Sequence, residues 1–303
     1  MPTGLTPTLR HWYQQGQFKT IRGQQLFFGV EGEGPTLLLI HGFPSASWDW
    51  HRLLPALRPH FQIIYLDMLG FGFSDKPLRA YPIGLQADLI TDLLLHLNIG
   101  QAHILAHDYG DTVAQELLAR QIKQRSPIRW LSCALLNGGL FPEAHRPLLI
   151  QKLLASPLGS WLAPLLGQRI FFRNLKRIWG QTSPSKHELT ALWQLLQFNQ
   201  GQRVIPQLIR YMNERRTHRA RWASALTQSP IPLGLINGTA DPISGHQLLE
   251  RFRTLLPHCP TYSLDGVGHY PQLEAPQATV DALLTFHLER VASLTELKQG
   301  VTA

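Results

Sequence analysis

Seven short runs of the chain, each four to eight residues long and dominated by apolar side chains, fall at 24–31, 36–40, 62–66, 102–106, 130–136, 232–236 and 261–264. Several are nearly continuous in Leu, Ile and Ala, the pattern of strands covered on both faces in a parallel sheet. The stretches 50–58, 84–97, 110–121, 246–256 and 278–291 mix apolar and polar positions at helical spacing. Strand–helix alternation predicts an α/β protein with a mostly parallel sheet flanked by helices. The alternation stops between 140 and 227, where no strand pattern occurs and helical stretches rich in Leu, Trp and Arg follow one another. This segment reads as a helical cap inserted between two strands. It divides the chain into a first core part (1–138), a cap (139–228) and a second core part (229–303), with a cavity expected between cap and strand ends.

Charge sharpens that division. The chain carries a formal net charge of +8, yet residues 140–225 alone hold thirteen Lys/Arg against three Asp/Glu. These cations alternate with large apolar groups, as in Arg146-Pro-Leu-Leu-Ile-Gln-Lys-Leu-Leu154, which predicts amphipathic helices rather than a basic tail. A solvated helical face is the plainer account, and peripheral contact with an anionic membrane is the alternative. Nucleic acid is not an expected partner, because the charge forms no separate basic stripe or tail. The two cysteines, Cys133 and Cys259, make no disulfide framework and suit a reducing compartment. The first residues show no basic region leading into an apolar core, and no run of eighteen apolar residues occurs. The expected location is therefore cytoplasmic, with the membrane surface as the alternative.

The chemistry concentrates where strands end. The run 102–106 leads directly into His107-Asp-Tyr-Gly110, a sharp strand-to-helix turn with a carboxylate at its apex. This is the layout of a nucleophile elbow, and Asp108 stands where an esterase would place a serine. A carboxylate nucleophile suits attack on an alkyl carbon, with an ester of Asp108 as intermediate. Asp241 and then His269 follow in the chain, each just past its own apolar run. Singly, each is an ordinary loop residue; together they give the order nucleophile, acid, histidine. His269 would activate water, and Asp241 would orient its imidazole. After the strand 36–40, Gly42 permits a close turn and Pro44 fixes φ, so that the Phe43 N–H and that of Tyr109 can form an oxyanion hole. His41 reads as a structural hydrogen-bonding histidine. The Gly-rich loop 67–77 lacks the spacing of a phosphate loop and is expected to shape the floor of the site. No cofactor and no metal are expected; the expected partners are a small apolar substrate and water.

The motifs His41-Gly-Phe-Pro, the loop 67–77, the elbow 107–110, Asp241 and Gly268-His269 resemble the α/β-hydrolase superfamily in its epoxide hydrolase and haloalkane dehalogenase branch. Residues 107–118, 137–154 and 269–274 further resemble the group of the mesoderm-specific transcript protein and its bacterial relatives. The resemblance spans nearly the whole chain and implies an α/β-hydrolase fold. It also implies that a cap tyrosine protonates an epoxide oxygen, and Tyr211 fits one such tyrosine by local pattern. A second is missing, since no tyrosine lies between Tyr109 and Tyr211. Dehalogenases need indole or amide N–H donors, and the two motif positions for them hold Phe43 and Tyr109 here. Epoxide opening to a diol is therefore the first expectation and haloalkane hydrolysis the second. Lipid ester hydrolysis or acyl transfer, and a non-enzymatic scaffold, are further alternatives. Asp111 departs from the small residue common after the elbow glycine. It brings a second carboxylate close to Asp108, either to bond at the cap hinge or to raise a neighbour's pKa.

Overall fold

The computed structural model describes residues 4–292. Its eight strands are β1 (Gln17–Ile21), β2 (Gln24–Glu31), β3 (Thr36–Ile40), β4 (Gln62–Leu66), β5 (Gln101–His107), β6 (Arg129–Leu136), β7 (Leu233–Gly238) and β8 (Thr261–Leu264). They form one sheet in the order β1-β2-β4-β3-β5-β6-β7-β8. Pairing is parallel from β4 onward and antiparallel at β1/β2 and β2/β4. The sequence pattern missed β1. Its run Gln-Phe-Lys-Thr-Ile is half polar because it lies at the sheet edge, where only Ile21 is buried.

Register brings the carboxyl ends of the central strands level. Ile40 pairs with Ala106, His107 with Leu136, Leu136 with Ile236, and Gly238 with Leu264. The chain leaves β3 to form β4 on one side and β5 on the other, so the crevice outside β3 and β5 is the topological switch point. The loop carrying Phe43 and the turn carrying Asp108 flank that crevice.

Period-two alternation splits the core. Leu38, Ile40, Ile64, Ile104 and Ala106 face one layer with Leu89, Val113 and Phe252 of the helices Ile83–His96, Tyr109–Ile122 and His246–Leu255. Leu37, Leu39, Ile63, Tyr65 and Leu105 face the other with Trp12, Leu57 and Phe286. Burying each large aliphatic side chain contributes about 1.5–3 kcal/mol. The helix expected over 50–58 is instead a 3-10 turn, Ser47–Trp50, followed by the single turn Leu54–Leu57. Pro55, which has no N–H to donate, sits at the start of that turn and prevents one continuous helix. The last described helix begins at Pro276, runs to Phe286 and continues as a π-helical stretch His287–Ala292.

Between β6 and β7 the regular elements are all helical, from Leu149–Ala155 to Arg219–Thr227. Its last helix, Arg219–Thr227, lies along Tyr109–Ile122, and its Trp222 joins the core there. The earlier helices border a solvent-open cleft of about 750 Å³, open space included. Phe43, Pro44 and His269 border it from the sheet side, while Leu154, Leu175 and Trp193 border it from the inserted helices. No helix among the described residues is long and apolar enough to cross a membrane.

Candidate active site

Asp108 occupies the apex of the turn between β5 and Tyr109–Ile122 with φ 46° and ψ −102°, a conformation that costs an L-residue on the order of 1–3 kcal/mol. Two glycines make room for it. A Cβ on Gly110 would lie 2.3 Å from the Ile40 carbonyl oxygen, and one on Gly42 would lie 2.6 Å from His107 Nδ1. The Asp108 N–H remains tied to the Leu136 carbonyl at 3.1 Å. Strand pairing thus holds the strained residue with its carboxylate against the loop after β3.

That loop supplies a donor. The Phe43–Pro44 peptide is cis, and Phe43 N–H donates to Asp108 Oδ2 at 3.1 Å. Tyr109 stands at the first position of the elbow helix, and no hydrogen bond from its N–H reaches the Asp108 carboxylate among the described residues. His41 accepts from Met68 N–H at Nε2 (3.1 Å), which leaves Nδ1 to donate to the Gly42 carbonyl (2.8 Å). It therefore pins the loop as a neutral ring, and burial pushes its pKa down to about 3.

His269 lies between two carboxylates. Its Nδ1 donates to Asp241 Oδ2 at 2.7 Å, and its Nε2 is 3.9 Å from Asp108 Oδ2. Burial pulls its pKa down, but the charge of Asp241 and the nearby Asp108 outweigh burial and raise it to about 10. Asp108 is held below the ordinary carboxylate range against its own burial by His269 and the cation of Arg215. Asp241 is lowered too, again against burial, by His269 and by donors from Ile243 N–H at 2.8 Å and Asn137 Nδ2 at 3.0 Å. Ser244 Oγ adds a further bond at 3.0 Å. The His269 loop is itself clamped: its N–H donates to the Ile178 carbonyl, and Glu274 accepts from the N–H groups of Gly180, Gly268 and Tyr270.

Residues 35–276 match the α/β-hydrolase fold family. The chain belongs to that family. It is 42% identical to the mouse (Mus musculus) mesoderm-specific transcript protein over 301 residues, covering 94% of this chain and 89% of that protein. A haloalkane dehalogenase loop variant from Bradyrhizobium elkanii superposes with a TM-score of 0.77 at 20% identity, over 94% of this chain and 98% of the other. The epoxide hydrolase CorEH superposes with a TM-score of 0.73 at 19% identity, over 90% of this chain and 98% of the other. These two likenesses are of fold.

Within this α/β-hydrolase, Asp108, Asp241, His269 and Phe43 converge as their places after β5, β7, β8 and β3 require. Tyr211 also reaches this region, at the head of the short helix Tyr211–Thr217. Its ring is fully buried, 4.7 Å from that of Tyr109 and 6.0 Å from that of Phe43, and its hydroxyl makes no hydrogen bond among the described residues. Tyr211 is not among the residues bordering the cleft; it packs on Phe43, which is. Burial and the charge of Asp108 raise its pKa, so the phenol keeps its proton. The second carboxylate at the elbow, Asp111, is fully buried, and burial followed by the charge of Asp108 pushes its pKa well up. The like-charge effect thus falls on Asp111 itself.

Three residues of the site were not singled out from the sequence. Arg215 is 2% exposed, donating from Nε to Thr112 Oγ1 at 2.7 Å and from Nη2 to the Asp108 carbonyl at 3.0 Å. In sequence it looks like one more cation of a basic run; its place one helical turn after Tyr211 was the available signal. Asn137 bridges Asp241 and Gly238, and the signal was its position directly after β6. His107, with Nε2 2.7 Å from the His269 carbonyl, supports the histidine loop from beneath.

Proposed function

We propose that the protein hydrolyses its substrate through a covalent ester of Asp108, with epoxides as the substrate class and diols as products. The observation that carries this reading is the Asp108 carboxylate on its strained backbone turn, its Oδ2 fixed by the Phe43 N–H and 3.9 Å from His269 Nε2. An oxygen of that carboxylate attacks a ring carbon, the carbon–oxygen bond opens, and the ring oxygen takes the phenolic proton of Tyr211. The Tyr211 hydroxyl supports this role because a buried donor without a partner costs about 1–3 kcal/mol, a cost that an incoming acceptor removes.

Ester formation then changes the electrostatics. With Asp108 esterified, one of the two negative charges holding a proton on His269 disappears. The imidazole pKa falls, its proton passes to the Tyr211 phenolate, and the neutral His269 can take a proton from water as that water attacks the ester carbonyl carbon. Asp241 supports the resulting imidazolium, and collapse of the tetrahedral species breaks the bond to the diol oxygen, which takes the second proton of the attacking water, and restores the carboxylate. The inserted helices act as a cap that shields the ester from bulk water. The mostly apolar cleft between cap and sheet suits a small apolar substrate.

Haloalkane hydrolysis is a second reading, favoured by Trp193 and Asn174 on the cleft wall, both of which carry N–H groups suited to a departing halide. It uses the same Asp108 ester. The deciding experiment is a single turnover in oxygen-labelled water on a panel of epoxides, short haloalkanes and acyl esters. Label is expected first in the Asp108 carboxylate, with the best turnover on an epoxide. Direct entry of label into the first product would refute the covalent route.

A further inference from the structure

The chain from 144 to 187 contains no Asp or Glu and seven Lys/Arg. Elsewhere several arginines are engaged: Arg22 with Asp88 and Asp92, Arg120 and Arg221 with Glu116, Arg219 and Arg251 with Glu143. Lys152, Arg169, Arg173, Lys176 and Arg177 are exposed, and none forms an ion pair among the described residues. The same stretch exposes most of the large apolar side chains that reach solvent. Trp161 is 80% exposed, Leu149 77%, Leu165 75% and Leu158 63%, with Leu153 at 50%. These are residues that a water-facing helix would not select.

The stretch also has an inner side. Ile150, Leu154, Leu166 and Phe171, from the same helices, line the cleft that His269 borders. This run of helices therefore presents apolar groups to the cleft and exposes both large apolar groups and unpaired cations to solvent. We propose that this face docks on an anionic lipid bilayer, with Trp161, Leu149 and Leu165 entering the headgroup boundary and the basic side chains resting on lipid phosphates, so that an apolar substrate enters the cleft from the membrane. The charge pattern selects this occupant. A second copy of the chain would set one uncompensated cationic face against another, whereas an anionic bilayer supplies both the apolar depth and the counter-charge. This docking does not depend on which bond the site cleaves.

Flotation of the full chain with vesicles tests it, using phosphatidylcholine alone and phosphatidylcholine with roughly 30 mol % phosphatidylglycerol. Binding is expected on the anionic vesicles, at least about tenfold tighter than on neutral ones and largely lost at about 0.5 M salt. The triple variant Arg173→Gln/Lys176→Gln/Arg177→Gln should weaken it on the order of 10²-fold. Trp161→Ser/Leu165→Ser should weaken it about tenfold or more. All these side chains are exposed, so both variants should keep the native thermal melt. Brominated lipid should quench a component of the fluorescence that is missing in Trp161→Phe. Failure to float with anionic vesicles overturns the proposal, as does binding that survives both variants. Concentration-dependent dimerisation abolished by the same variants, without vesicle binding, also overturns it and assigns the face to self-association.

Discussion

Arg215 Nη2 lies 3.0 Å from the backbone carbonyl of Asp108 and 3.5 Å from its Oδ1, while the guanidinium carbon sits 4.4 Å from the centre of the Tyr211 ring. One buried cation thus touches the nucleophile proposed here, its backbone and the proposed acid. Arg215 favours the ionised form of Asp108, so its removal should raise the Asp108 pKa. In Arg215→Met the acid limb of kcat/KM is expected to move to higher pH, with kcat/KM lower on the order of 10²-fold near neutrality. Breaking a buried ionic contact should also cost about 3–5 kcal/mol of stability, read by denaturant unfolding. An acid limb that stays in place in a folded variant would show that Arg215 serves packing alone.

His269→Ala should separate the two half-reactions. Asp108 keeps its elbow geometry and the Phe43 donor, so alkylation proceeds, while hydrolysis of the ester lacks its base. Intact mass spectrometry after incubation with the best substrate should find one substrate mass added, and peptide mapping should place it on Asp108. A variant that binds substrate normally yet shows no adduct contradicts this division of labour.

Tyr211→Phe removes a hydroxyl that makes no hydrogen bond among the described residues and keeps the ring tilted against Tyr109 and under Arg215. Stability should therefore hold or rise slightly, since a buried unsatisfied donor is lost. Turnover of an epoxide should fall on the order of 10²-fold, the range for a positioned acid. Turnover of a haloalkane by the same variant should change less than about threefold, because halide departure needs no phenolic proton. Equal effects on both substrates would remove Tyr211 as the acid.

The proton on His269 also bears on stability. Its pKa is about 10 in the folded protein against an ordinary value of 6.5, so the folded state holds the proton more tightly than the unfolded chain. That stabilisation is complete below about pH 6.5 and is lost as the pH rises through about 10. The Tm of the native protein should decline across this window, and His269→Gln should flatten the decline. A Tm profile identical in the two proteins would show that His269 is not held protonated.

The α/β layering and the places of Asp108, Asp241 and His269 were legible in the chain because buried parallel strands are continuous apolar runs. In such sheets the reactive groups follow directly after the runs, so local pattern carries position. Hydrophobic patterning also marked 140–227 as helical. The edge strand Gln17–Ile21 was not legible, because pairing on one side only leaves no continuous apolar signature. Nor could spacing reveal that Arg215, one of thirteen cations in its region, is buried on Asp108 while Arg173 and Lys176 remain in water. Composition treats these side chains alike. Their different environments come from long-range packing, which sets the helix Tyr211–Thr217 against the elbow 107 residues earlier in the chain. The sequence by itself determined the layers, the chain order of the reactive groups and the carboxylate at the elbow. Only the tertiary structure decided which cation the carboxylate meets, that Asp111 is fully buried, and which apolar groups of the inserted helices face the cleft or the solvent. Those outcomes depend on distances between segments far apart in the chain, and local periodicity does not encode such distances.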